Sequence, residues 1–182
     1  MTFKSEPNLL DRDRRMAEIP DVTNKLCDLL WKFVEVKDGL GISIITYALG
    51  KRSDLTNSQL KAIMDRIQLL SVGSLDGYSL DDMFFVGGGV YLFRDHPSQE
   101  IEDLANLLLK KKSKYIKICA AQTLAKIGTR KSVEPMRQYV EDSSLSLDPA
   151  WRTASSEKMS KAAPEVAQQE LLQRLRALEQ EV

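Results

Sequence analysis

The chain has 182 residues, and its 26 Lys and Arg are balanced by 26 Asp and Glu, so its formal charge is zero. That balance excludes a surface that attracts nucleic acid or anionic membrane all over. The length suits one compact domain or a short array of repeats, and 43% apolar residues beside 29% charged ones supply a core and exclude global disorder.

Residues 1–20 read as an arm, with Pro7 and Pro20 bracketing the mixed-charge run Asp11 to Arg15. Asp21 is placed to cap a helix carrying Val22, Leu26, Leu29, Leu30, Phe33 and Val34 at helical spacing, ended by Gly39 and Gly41. Ile42 to Leu49 is a second apolar stretch, stopped by Gly50 and β-branched enough to suit a strand as well as a helix. Thr56-Asn57-Ser58-Gln59 is a capping box, in which each side chain satisfies one orphan backbone donor, and it opens a helix through Leu60, Ile63, Met64, Ile67 and Leu70. Ser79 to Asp82 caps the segment Met83 to Phe93. Ser98 precedes Ile101, Leu104 and Leu108, with acids in the first turn and Lys110 to Lys112 in the last, an order that suits the helix dipole. Ser113 starts Ile116 to Ile127, closed by Gly128. Ser132 starts Val133 to Val140, with Pro135 tolerable in the first turn. Asp148-Pro149 is a further start signal, because Asp caps and Pro at the first helical position gives up no hydrogen bond. From Pro164, Leu171, Leu175, Leu178 and Val182 form one stripe of a last helix. About nine helices are expected over 21–182, as a single domain.

Two segments repeat with similar patterning. Lys117 to Lys126 aligns with Arg152 to Lys161, cation on cation, small on small, and Leu124 on Met159. In the other direction Gly88-Gly89 falls on Ala120-Ala121, Leu92 on Leu124, and Ile101, Leu104 and Leu108 on Val133, Met136 and Val140. Each unit reads as a helix with small residues, where a neighbouring backbone presses close, followed by a helix with an apolar ladder.

Asp148-Pro149-Ala150-Trp151-Arg152, together with Ile116-Lys117, Ala120-Ala121, Leu124 and Ile127-Gly128, resembles the unit of the bacterial HEAT-like repeats, over about residues 80–163 and most fully over 95–163. Trp151 stands where that family has an aliphatic residue and Lys117 where it usually has Arg; Gly87-Gly88-Gly89 and Ser155-Ser156 depart from its register. The resemblance implies an all-α fold, a short right-handed superhelix of about four helical hairpins with the final helix as its polar cap. It also implies a scaffold, adaptor or inhibitor that binds protein. In such repeats Lys117 and Arg152 pair with acids of the next unit, here Asp142 or Asp148; the alternative is a solvated pair worth less than about 1 kcal/mol.

Gly87-Gly88-Gly89 lacks the Gly-Lys-Ser/Thr that a phosphate loop needs. It reads as close helix packing, with a broken helix or a glycine-bent strand as the alternative. Catalytic chemistry has few places to sit. His96 is the sole histidine, and neither Cys27 nor Cys119 has a second ligand at metal spacing. A nucleophilic pair would require a cysteine to meet His96 in space. Asp81 and Asp82 are adjacent, so on a helix their side chains diverge by about 100° and make no acid/base pair. No cofactor, metal or membrane span is indicated. Two cysteines, and opening residues such as Lys4, Glu6, Asp11 and Arg12 without an apolar run, point to a reducing cytoplasmic setting.

Charge placement says more than total charge. From Asp76 to Asp103 the acids 76, 81, 82, 95, 100, 102 and 103 face Arg94 alone, whereas from Leu104 to Lys131 there are Lys110, Lys111, Lys112, Lys114, Lys117, Lys126, Arg130 and Lys131 and no acid. Lys114 and Lys117 stand at a helix start, where the dipole disfavours cations, which assigns them either to an acidic partner or to pairing between adjacent units. The candidate partner-binding residues are therefore Lys111, Lys112, Lys114, Tyr115, Lys117, Trp151, Arg152, Asp81 and Asp82. A non-catalytic protein-binding module follows, with a toxin-neutralising immunity protein as its narrower form and fast association as the expected consequence. The alternatives are a HEAT-like enzyme (bilin lyase or alkylated-base glycosylase) and a nucleic-acid binder that stacks bases on Tyr115, against which the neighbouring acids count.

Overall fold

The computed structural model describes the backbone of residues 21–72, 79–141 and 157–180, and the side chains of 21–71, 79–141 and 166–180. Among the described residues the chain is all-helical. The helices are α1 (Val22–Glu35), α2 (Gly39–Leu49), α3 (Asn57–Val72), α4 (Leu80–Leu92), α5 (Gln99–Leu108), α6 (Lys114–Ile127), α7 (Val133–Glu141) and α8 (Glu157–Gln180), with 3-10 turns at Phe93–Asp95 and Arg130–Ser132. The arm at 1–20 and the start signal at Asp148-Pro149 lie outside these residues.

Local chemistry accounts for most starts. Thr56 and Gln59 form the expected capping box, with the Gln59 amide donating to Thr56 Oγ1 at 3.3 Å and the Thr56 amide to Gln59 Oε1 at 2.9 Å. Ser79, Ser98 and Ser113 each accept from the amide three residues on. Two readings are corrected, and the strand alternative for residues 42–49 falls away. Gly39 and Gly41 do not end α1; that helix stops at Glu35, Lys37 turns the chain at φ 54°, and both glycines lie in the first turn of α2. Their small size serves close approach, since a Cβ on Gly39 would lie 2.6 Å from Phe84 and one on Gly41 2.7 Å from Phe33. Ile42 to Leu49 is helix and not strand, because Ile42, Ile45 and Leu49 reach the core at helical spacing and burial outweighs β-branching. Pro164 falls inside α8, which already begins at Glu157.

The packing has one dominant feature. Helices α2, α4, α6 and α8 pack side by side in that order. Their close approaches pair rising numbers with rising numbers: Gly39 with Phe84, Thr46 with Gly88 and Gly50 with Leu92. The same holds for Gly87 with Tyr115, Val90 with Thr123 and Asp95 with Lys126. Helices α2, α4 and α6 therefore run parallel. Helix α1 packs on α2, α3 on α4, α5 on α6 and α7 on α8. The apolar ladder of α5 thus packs on the small-residue helix that follows it, where the repeat alignment pairs it with the one before. One buried cluster runs from Leu30 and Ile42 through Phe85, Ile101 and Leu124 to Leu171 and Leu178. Each such side chain stabilises the fold by roughly 1.5–3 kcal/mol.

Helix α4 sits at the centre of this arrangement, and Gly87-Gly88-Gly89 is where its neighbours converge. A Cβ on Gly87 would lie 2.3 Å from the Tyr115 ring of α6, one on Gly88 2.2 Å from Thr46 Oγ1 of α2, and one on Gly89 2.6 Å from Ile67 of α3. The bare backbone also lets Thr123 of α6 donate to the Val90 carbonyl at 3.0 Å. The triple glycine is a three-way helix crossing, and no phosphate loop or strand.

Candidate functional site

The basic run expected to grip a partner is divided by the fold. Lys126, in the last turn of α6, pairs with Asp95, and Lys131 pairs with Asp103. The acid-rich and cation-rich segments thus neutralise one another in part, as the intramolecular reading expects. Lys111 Nζ donates to the Ser71 carbonyl in the last turn of α3 at 3.3 Å, where the dipole of that neighbouring helix favours a cation. Lys112, Lys114 and Lys117 are each engaged. Lys117 and Lys110 border a 180 Å³ groove with Leu109, Pro135, Gln138 and Tyr139.

Asp81 and Asp82 stand at helix starts. Asp81 accepts the Gly39 amide at 3.0 Å, tying the first turn of α2 to α4, and Asp82 accepts from Ser79 Oγ at 2.8 Å. The Tyr115 ring lies over Gly87 in edge contact with Phe84, centroids 5.2 Å apart, and its hydroxyl shares hydrogen bonds with the Ser43 and Cys119 side chains. Burial pushes that hydroxyl's pKa upward, so the side chain is a cross-brace from α6 over α4 to α2. Trp151 and Arg152 lie outside the described residues.

A different set of residues comes together on the exposed side of this row. Tyr47 of α2 stacks on Tyr91 of α4, centroids 5.9 Å apart and 18° from coplanar. Lys51 Nζ lies 5.2 Å from the Tyr47 centroid and the Arg94 guanidinium 4.8 Å from that of Tyr91, so a cation closes each end of the aromatic pair. Arg94 also donates to the Tyr91 hydroxyl at 2.9 Å. It then borders a 380 Å³ groove lined by Arg94, Gln122, Ala125, Lys126, Glu170, Gln173 and Arg174. Arg174 donates through Nε to the Gly128 carbonyl at 3.0 Å, which holds its guanidinium at the groove. Among the described residues no carboxylate lies within ion-pair distance of Arg94 or Arg174. The sequence carries half of this signal, in Tyr47 with Lys51 and Tyr91 with Arg94 at helical spacing. That the two halves meet requires α2 and α4 to be parallel neighbours, which spacing along the chain does not encode.

The remaining reactive groups are placed for structure. Burial pushes the Cys119 thiol up to about 12, and burial followed by the charges of Asp28 and Asp54 raises that of Cys27. His96 Nε2 is 3.2 Å from the Arg52 carbonyl. Among the described residues no three His, Cys, Asp or Glu side chains gather as metal ligands, and no helix is long and apolar enough to cross a membrane. Comparison with protein-family models, with curated proteins and with solved structures found no match.

Proposed function

We propose that this chain is a non-catalytic protein-binding module, built as a HEAT-like array of four hairpins (α1/α2, α3/α4, α5/α6 and α7/α8), and that the exposed side of its row receives an acidic region of a protein partner. The array is supported by the succession α2, α4, α6, α8 and by the long final helix at one end of the row. The binding surface is supported above all by the Arg94 and Arg174 guanidinium groups, which border one groove without a carboxylate partner among the described residues. Arginine forks take carboxylates in bidentate fashion. Gln122 and Gln173 add amide donors, and the neighbouring Tyr47–Tyr91 pair offers the aromatic area that anchors interfaces. Lys111, Lys112, Lys114 and Lys117 serve this reading as long-range steering charges more than as contacts. In its narrower form the partner is a toxin whose acidic surface the groove covers.

The test is co-purification of the chain with the product of the adjacent gene, followed by titration of the complex. R94E with R174E should weaken the complex by about 100-fold and flatten its salt dependence. Unchanged affinity in that variant, or substrate turnover without a stoichiometric complex, overturns the reading.

A further inference from the structure

An apolar stripe on α2 and the cationic groove share one side of the row. Leu40, Ile44 and Tyr47 are 68%, 58% and 54% exposed and follow one flank of α2, and Lys51, beside the Tyr47 ring, ends the line. On α4 the same spacing aligns Phe84, Gly87 and Tyr91, with Arg94 just beyond the helix; on α6 it aligns Tyr115, Gln122 and Lys126. Three contacts turn these lines to the same side. Tyr47 stacks on Tyr91, Tyr115 lies over Gly87, and the Tyr115 hydroxyl reaches Ser43, one turn before Tyr47. Gln122 and Lys126 then border the groove with Arg94 and Arg174. One track thus runs from exposed aliphatic side chains, through a tyrosine pair with a cation at each end, to two guanidinium groups.

The two halves of the track select opposite chemistry. No charged side chain lies between Gly39 and Leu49, so a carboxylate laid over Leu40 or Ile44 would lose water without gaining a partner. At the other end Glu170 is the one carboxylate among the lining residues, and Lys126 is already taken by Asp95. An aliphatic group there would bury the guanidinium groups unpaired. We propose that the acidic partner enters with one continuous segment, its apolar side chains on Leu40, Ile44 and Tyr47 and its carboxylates at Arg94 and Arg174. This rests on the groove being an acid-binding surface, and adds the apolar half and the order of the two blocks. Packed helix axes lie about 8–10 Å apart, so α2 and α8 are separated by about 24–30 Å. A helix spans that distance in about 16–20 residues, and an extended chain in about eight or nine.

Fluorescence anisotropy of the full chain with labelled synthetic peptides of about 18 residues tests this. The block probe carries about four Leu or Phe at one end and about four Glu at the other, made in both chain directions. The acid probe has Ser in place of the apolar block, the mixed probe intersperses the same residues, and the basic probe has Lys in place of Glu. In one direction the block probe should bind at least about 10-fold tighter than the other three. L40S with I44S should bring it down to the affinity of the acid probe. Both positions are exposed, and helical circular dichroism and the melting temperature report that this variant is folded. R94E with R174E should weaken the block and acid probes alike by about 100-fold.

A block probe no tighter than the acid probe in either direction overturns the proposal, keeps the groove reading, and leaves the stripe to another segment of this chain. An advantage that survives L40S with I44S, or equal binding of the mixed or basic probe, overturns it as well. An acid probe indifferent to R94E with R174E sinks the groove reading and this proposal together. Single-stranded DNA of similar length binding as tightly as the block probe overturns the assignment to protein, because DNA has no aliphatic side chains to lay on the stripe.

Discussion

Replacing Gly88 with alanine sets two effects of opposite sign against each other. In an exposed helix interior Gly→Ala gains about 1 kcal/mol from backbone entropy. At position 88 the new Cβ would lie 2.2 Å from Thr46 Oγ1 and 3.1 Å from Thr46 Cβ. Thr46 is fully buried, and its hydroxyl donates back within α2, to the Ile42 carbonyl at 2.9 Å and the Ser43 carbonyl at 3.0 Å, so it has no open space to turn into. Overpacking of this kind costs typically about 1–3 kcal/mol and more when the neighbour is fixed to its backbone. The clash should win, leaving G88A less stable by about 1–3 kcal/mol, or roughly 4–8 °C in melting temperature for the middle of that range. Urea unfolding followed by helical circular dichroism reads the difference. The double variant G88A/T46A removes the opposing hydroxyl and should recover at least about 1 kcal/mol relative to additivity. A G88A protein as stable as the parent or more so would refute the three-way crossing, because it would mean that helix propensity alone governs the site.

Three other outcomes follow from particular side chains. Hydrogen bonds from Arg52 and Thr23 hold the Asp54 carboxyl at about 2, below its ordinary value of 3.8; its contribution is complete above that ordinary value and lost as pH falls from 3.8 towards 2, so D54N should flatten the acid limb of a stability–pH curve there while lowering stability at neutral pH. Lys37 is exposed at φ 54°, a conformation that L side chains resist, and K37G should therefore raise stability by about 0.5–1 kcal/mol in the same urea titration. Cys119 is buried with its thiol pushed up to about 12, and Cys27 is buried and raised as well, so a disulfide-exchange reagent at mildly alkaline pH should label both only when urea opens the fold; fast labelling of the native protein would contradict that burial.

Much of the helical inventory was legible because its signals are local. Thr56 with Gln59, and Ser79, Ser98 and Ser113, cap helices through bonds that span three residues. Gly39 and Gly41 misled because a glycine that ends a helix and one that admits a neighbour look alike in a sequence; only the positions of Phe84 and Phe33 tell them apart. The surroundings of the basic run were hidden for a related reason. Where its cations reach depends on other elements: Lys111 lies at the C-terminal turn of α3 and Lys126 beside Asp95. The aromatic ladder and the groove are not legible in the sequence because Tyr47, Tyr91, Arg94 and Arg174 come from α2, α4, the 3-10 turn after it and α8, which span much of the chain.

The amino-acid sequence by itself determined that the described residues form helices, where most of them begin, and that small residues on α4 and α6 mark close packing. These are effects of neighbours within one turn, and they act whatever the rest of the molecule does. The tertiary structure alone decided that α2, α4, α6 and α8 pack in one row with the first three parallel, which charges cancel, and which cations are left facing a groove. Those outcomes depend on contacts between residues 30 to 50 positions apart, such as Thr46 with Gly88 and Gly128 with Arg174, and contacts at that separation follow from how whole helices pack.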